Sequence, residues 1–189
     1  MKTRTTTAIV AALLMAANME MTMAQAQTQV QTQAQQAPST LPGGASSLNE
    51  TYQDWTVVCT SGEQGRICVM SQQQRKSDTG QLVLAAELGA VPGGEVRGSL
   101  VLPFGLRLAD GLTLQIDDGP ASQPLPFSTC LPAGCIVQVS FDAATVKALR
   151  AAAAVKLVAK AHDGGGDVLL GLSLKGFSAA HDRAVSLSQ

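Results

Sequence analysis

The sequence predicts a mostly β protein: a single antiparallel, sandwich-like domain carrying one or two short helices. Three observations predict it. From Thr51 onward, short apolar runs alternate with turn residues, and spacings of about 8–12 residues between turns mark antiparallel sandwiches and barrels. Several of these runs alternate apolar with polar positions, as a sheet with one solvated face requires. Each pair of neighbouring cysteines brackets a turn between two runs.

Element by element, the first run is Trp55-Thr56-Val57-Val58-Cys59, and the polar stretch 60–65 breaks it. Residues 66–73 resume with Ile67, Cys68, Val69 and Met70. The turn Ser77-Asp78-Thr79-Gly80 leads into 81–88, and Pro92-Gly93-Gly94 into 95–102. After Asp110-Gly111, the residues Leu112, Leu114 and Ile116 recur at period two until Asp117-Asp118-Gly119-Pro120. A short piece at 125–127 and a run at 135–141 continue the pattern. Residues 142–150 interrupt it: Asp142 is an N-cap candidate, and Val146 and Leu149 share one face of a short helix. That helix is expected to fray through the alanines 151–154. Residues 155–161 and 168–174 read as strands around the Gly-rich turn 162–167, and a last short helix covers 177–184. Core positions are expected at Leu82, Leu84 and Ala86, and at Leu112, Leu114 and Ile116.

The 189 residues are 46% hydrophobic and 14% charged, with formal net charge −1. That balance excludes a wholly disordered chain. There is no basic excess to neutralise phosphates, so no nucleic-acid partner is expected.

The organisation is a targeting segment, a tether and one domain. Lys2 and Arg4 precede ten uncharged apolar residues, 8–17, and Ala24-Gln25-Ala26 places small residues ahead of a cut after Ala26. Basic start, short apolar core and A-x-A end make residues 1–26 a secretory signal peptide. The alternative is an uncleaved anchor, but a spanning helix needs roughly 20 apolar residues. Removal of 1–26 takes Lys2, Arg4 and Glu20 away and moves the formal charge from −1 to −2. No other stretch is long and apolar enough to span a bilayer, so the mature chain is expected to be exported, periplasmic or in the envelope. Met19, Met21 and Met23 form a thioether row that soft metals favour, yet they would leave with the signal. Residues 27–50, rich in Gln with Pro and Gly, bury too little to fold and read as a disordered tether. Residues 51–189 form the domain.

Four cysteines in an exported chain favour disulfides. Of the three connectivities that four cysteines allow, neighbour pairing, Cys59 with Cys68 and Cys130 with Cys135, is the simplest. Zinc prefers C-x₂-C pairs or histidines in the pattern, and redox catalysis prefers C-x-x-C; neither occurs.

Several blocks resemble the invasion-associated locus B family. They are Tyr52-Gln53-Asp54-Trp55-Thr56-Val57-Val58-Cys59 and Arg66-Ile67-Cys68-Val69-Met70-Ser71-Gln72, then Leu102-Pro103-Phe104-Gly105-Leu106 and Leu114-Gln115-Ile116-Asp117. Pro126-Phe127-Ser128-Thr129-Cys130-Leu131-Pro132-Ala133-Gly134-Cys135 and Leu172-Ser173-Leu174-Lys175-Gly176-Phe177 complete the series. The resemblance implies an exported envelope or periplasmic protein of Gram-negative, mainly alphaproteobacterial, cells. In some pathogens the family is linked to invasion of host cells, erythrocytes included, while many members come from bacteria that invade nothing. It carries no catalytic residues onto this chain.

Each candidate site also has a plainer reading. His162 and His181 are the only histidines, each followed by Asp, and no G-x-S-x-G elbow accompanies them. His162 reads as a solvated turn and His181 as part of the terminal helix. Asp117 and Asp118, with Asp110, offer oxygens to calcium, but Asp and Gly are also what a turn needs. Trp55 reads as core, packed near the first disulfide. In Lys175-Gly176-Phe177, Gly176 ends a strand and Phe177 anchors a helix, with a partner contact as the other reading. The expectation is a non-enzymatic interaction protein with no catalytic residue, no metal and no cofactor, acting on an envelope or host protein. The alternative is an exported hydrolase or redox enzyme with a site scattered over loops. A pocket holding either histidine against a carboxylate favours the enzyme, and a surface patch favours the binder.

Overall fold

The computed structural model describes residues 41–62, 65–91 and 93–188. The signal at 1–26, with Met19, Met21 and Met23, and residues 27–40 of the tether lie outside the described residues.

In chain order the elements are β1 (Ser47–Tyr52), β2 (Trp55–Gly62), β3 (Gly65–Arg75), β4 (Leu82–Val91) and β5 (Glu95–Leu102). Next come β6 (Thr113–Ile116), β7 (Phe127–Leu131), β8 (Gly134–Phe141), α1 (Ala143–Ala151), β9 (Ala154–Lys160), β10 (Asp167–Ser173) and α2 (Phe177–Ser188). One sheet has seven strands in the order β1-β2-β3-β4-β5-β8-β7, and a second has three, β10-β9-β6. Every pairing is antiparallel. The expected fold class is what the chain adopts.

The start of the domain needs correction. The boundary expected at Thr51 lies too late, because β1 begins at Ser47 and Leu41 is buried. The composition of 41–50 suggested a tether, but an edge strand needs only one partner. Leu48 faces Cys59 and Tyr52 faces Trp55 across the β1–β2 ladder. Backbone pairing and three half-buried side chains, Leu48, Glu50 and Tyr52, suffice where few apolar residues are available. The last helix also runs to Ser188 rather than Ala184.

Alternation builds the core. Trp55, Val57 and Cys59 on β2, Cys135, Val137 and Val139 on β8, and Val155, Leu157 and Ala159 on β9 are buried, with more accessible residues between them. Leu84, Ala86, Leu112 and Leu114 are buried, while Leu82 and Ile116 are half-buried. A small closed apolar space between the sheets is lined by Leu88 and Leu100 on one side and Leu114, Leu157 and Leu172 on the other. Glutamine side chains join β3 to β10. Gln72 Nε2 donates to the Ser173 carbonyl at 2.9 Å, the Ser173 amide donates to Gln72 Oε1 at 3.1 Å, and Gln74 Nε2 donates to the Gly171 carbonyl at 2.6 Å. A buried amide with both ends satisfied substitutes there for a strand pair.

Candidate functional site

Two features stand out: a groove beside α1 and a charged cluster where α1 meets α2. α1 forms where the sequence predicts it. Asp142 is its N-cap, accepting the Thr145 amide at 2.7 Å, so an otherwise unpaired helix donor is satisfied. The helix buries Val146 and Leu149 and then stops, because Ala152 is extended and β9 begins at Ala154.

α1 turns Ala144, Thr145 and Ala148 toward a groove of about 640 Å³. Gly119, Pro120, Ala121 and Ser122 form the opposite wall, over a floor of core residues including Leu114, Ile116, Phe141 and Val155. Among the described residues, no charged side chain lines it. The opposite wall is held in place by its own hydrogen bonds. Leu112 and Leu125 exchange backbone bonds of 2.8 Å each way, and Ser122 Oγ accepts the Leu114 amide at 3.0 Å. Gly111, at φ +72°, permits this approach, since a Cβ there would stand 2.8 Å from the Leu125 carbonyl oxygen. The volume lies within the roughly 300–1,000 Å³ usual for binding sites.

The acidic turn belongs to this wall. Asp117 has φ 44°, and its carboxylate accepts the amides of Ala153 and Ala154 at 2.9–3.1 Å. It therefore ties the end of β6 to the start of β9. Asp110 lies 3.5 Å from Arg107. Among the described residues, no group of three or more His, Cys, Asp or Glu is placed to hold a metal ion.

At the far end of α1, Arg150 Nη1 donates to Asp182 Oδ1 at 2.6 Å and Nη2 to Oδ2 at 3.0 Å. The same Nη1 lies 3.0 Å from His181 Nδ1. Arginine only donates, so Nδ1 is the acceptor and neutral His181 carries its proton on Nε2. Nε2 is buried with no hydrogen-bond partner among the described residues. Burial, and then the Arg150 cation, hold His181 below the ordinary histidine pKa. The bond from Arg150 holds the Asp182 carboxyl below its ordinary value.

His181 also lines a hollow of about 410 Å³ with Ala90, Val91, Gly93, Gly94, Val185 and Ser188. A histidine beside a carboxylate and a hollow meets part of the expectation for an enzyme. The proton is on the wrong nitrogen for it. A hydrolase base keeps Nε2 free to accept from the nucleophile while Nδ1–H faces the carboxylate; here Nδ1 accepts from arginine. The nearby hydroxyls are engaged as well: Ser178 Oγ donates to the Arg150 carbonyl, Ser186 Oγ to that of Arg183 and Ser188 Oγ to that of Ala184.

The other candidates fall into plain roles. His162 is exposed, and its amide donates to the Gly105 carbonyl at 2.8 Å. Trp55 is fully buried, edge-on to Phe177 at 5.3 Å between ring centres, and its Nε1 donates to the Ser173 carbonyl at 2.9 Å. Gly176, at φ +85°, lies against Tyr52, where a Cβ would stand 2.0 Å from the carbonyl oxygen. Phe177 then opens α2 in the core. Disulfides join Cys59 to Cys68 and Cys130 to Cys135, at Cα separations of 4.1 and 3.9 Å. Both pairs face one another directly across antiparallel hairpins.

Sequence reasoning missed the groove and the Arg150–His181 contact. The contact spans 31 residues, so no local pattern announces it. A signal for α2 was present: Phe177, Ala180, His181, Ala184 and Leu187 repeat at helical spacing, which puts His181 on the buried face.

Comparison with known proteins accounts for most of the chain. The family described as Invasion associated locus B (IalB) protein matches residues 55–185. Two relatives from Brucella abortus, each named an invasion protein B homolog, are 51% identical over 151 residues, covering 80% of this chain and 87% of theirs. Invasion protein B of Bartonella bacilliformis is 36% identical over 153 residues, covering 80% of this chain and 82% of its own. The crystal structure of invasion associated protein B from Bartonella henselae superposes with a TM-score of 0.69 at 35% identity. It covers 74% of this chain and 96% of that one.

Proposed function

This chain belongs to the invasion associated locus B family, and on that premise we propose that it acts outside the cytoplasm as a non-catalytic interaction protein. Its binding site is the α1 groove, and the occupant is an uncharged, apolar segment of a partner protein. The observation that carries this reading is the groove itself: a binding-sized hollow whose lining, among the described residues, carries no charge, walled by a helix and a braced loop. An uncharged wall leaves a charged group desolvated and unpaired, so it selects for apolar side chains. The two disulfides support an oxidising compartment. No helix among the described residues is long and apolar enough to cross a membrane. The tautomer of His181 supports the absence of hydrolysis.

Export proceeds by removal of residues 1–26. The periplasmic protein should have the intact mass of a chain starting at Gln27, whereas full-length protein in washed membranes would contradict this.

The groove is tested by capture with immobilised mature protein, comparing wild type with Ala148→Trp, which fills the groove from α1. Envelope extract and host-cell membranes serve as parallel inputs, because the relatives' names speak of invasion. Mass spectrometry should identify a protein captured by wild type and reduced at least about tenfold by A148W. Equal capture by both proteins refutes the groove as the site.

A further inference from the structure

We propose that Arg150, His181 and Asp182 form an acid-sensitive latch, which fastens the C-terminal turn of α1 to α2 while His181 is neutral and loosens it when His181 is protonated. The geometry requires a neutral ring. Arg150 Nη1 points at His181 Nδ1 from 3.0 Å; a proton on Nδ1 turns that hydrogen bond into two facing donors on two cations. The charged ring then seeks Asp182 Oδ1, which is 3.7 Å from Nδ1 and already takes Arg150 Nη1 at 2.6 Å. Arginine and imidazolium are then two cations drawn to the same oxygen, side by side. The second ring nitrogen offers no alternative tie, because Nε2 is buried without a hydrogen-bond partner among the described residues.

Among the described residues, the charges around His181 are few. From α1 comes Arg150, and from α2 itself Asp182. The β4–β5 turn presents Ala90, Val91, Gly93 and Gly94 to the same hollow, all uncharged, and the neighbouring ring of Phe177 is 6.1 Å away. Glu50 on β1 and Arg183 on α2 are occupied with each other at 2.7 and 2.8 Å. Protonation therefore acts on the α1–α2 contact, and Ser178 Oγ on the Arg150 carbonyl is the tie left between them alongside Arg150 Nη2.

The consequence reaches the groove, because α1 supplies Ala144, Thr145 and Ala148 to its wall. Acid loosens that wall at the Arg150 end and changes the width of the site. This last step rests on the groove being the binding site; the latch itself does not.

The test uses the mature protein without any ligand. Nitrogen-15 spectra of the imidazole should show the Nε2–H tautomer at neutral pH and protonation below the ordinary histidine range. Amide exchange of residues 146–151, corrected for intrinsic rates, should quicken roughly tenfold across that titration, while α2 residues 179–185 change less. In His181→Asn an amide oxygen replaces Nδ1 as acceptor without titrating, and exchange should not respond to pH. The latch is overturned by wild-type α1 protection that is unchanged once the ring is charged, by a charged ring at neutral pH, or by unfolding before protonation. The wild-type measurements decide the matter even where H181N fails to fold. Since no ligand enters, this result and the capture result stand or fall separately.

Discussion

The two helices cover opposite needs of one core. α2 seals its flank. It buries Phe177, Ala180, His181, Ala184 and Leu187, sets Phe177 against Trp55, and is bolted to β1 by the two-pronged Arg183–Glu50 pair, with Tyr52 donating to the same carboxylate at 2.7 Å. α1 buries only Val146 and Leu149 and leaves an open groove along its side. Its fixed points are the Asp142 cap at one end and Arg150 at the other. A helix held mainly at its ends, over an apolar hollow, is suited to move or to receive something. A helix packed along its length is suited to hold the fold.

That contrast predicts a ranking. Phe177→Ala should cost about 3–5 kcal/mol, the range for a large aromatic removed from a closed core, read as a lowered urea midpoint. A loss under about 1 kcal/mol would mean that α2 does not seal the core. Leu149→Ala should cost less, about 2–3 kcal/mol, near the low end for buried leucine, because the groove beside it lets neighbours relax into the space. A cost equal to that of F177A would remove the distinction between the flanks.

Opening the Cys59–Cys68 bond, which closes a separation of 9 residues under α2, should cost about 2.5 kcal/mol by loop entropy. Opening Cys130–Cys135, with a separation of 5, should cost about 2 kcal/mol. Cys59 and Cys68 are both core residues whereas Cys130 is exposed, so replacing the first pair by serine should lower the melting temperature further than replacing the second.

The smallest effect is on pH dependence. The folded state lowers the pKa of His181 from its ordinary 6.5, so the unfolded chain takes up the proton first as pH falls. Stability is full above pH 6.5 and declines from there through the folded-state value. Glu50 and Asp182, lowered from 4.5 and 3.8, lose their contributions as pH falls below those values. Chemical denaturation at closely spaced pH values should show both falls in wild type and only the second in H181N.

The sequence announces regular structure better than it announces these differences. β5 was legible to the residue, because its run lies between a Pro-Gly-Gly turn and Pro103. α1 was legible from its cap and the Val146–Leu149 spacing. β1 was not, since an edge strand of mostly polar residues carries little hydrophobic signal. Glutamines 72 and 74 looked like ordinary strand residues, and only their long-range partners on β10 reveal that they join the sheets. The groove is a product of where chain segments 119–122 and 143–151 meet. No composition or period encodes that meeting.

Amide exchange of the two helices at neutral pH, in the intact mature protein, tests the contrast most directly. Val146–Arg150 in α1 should exchange at least about tenfold faster than Ala180–Ala184 in α2, because local opening of α1 exposes two buried side chains and local opening of α2 exposes five. Equal protection of the two helices, or faster exchange in α2, would contradict the account of one sealed flank and one open, working flank.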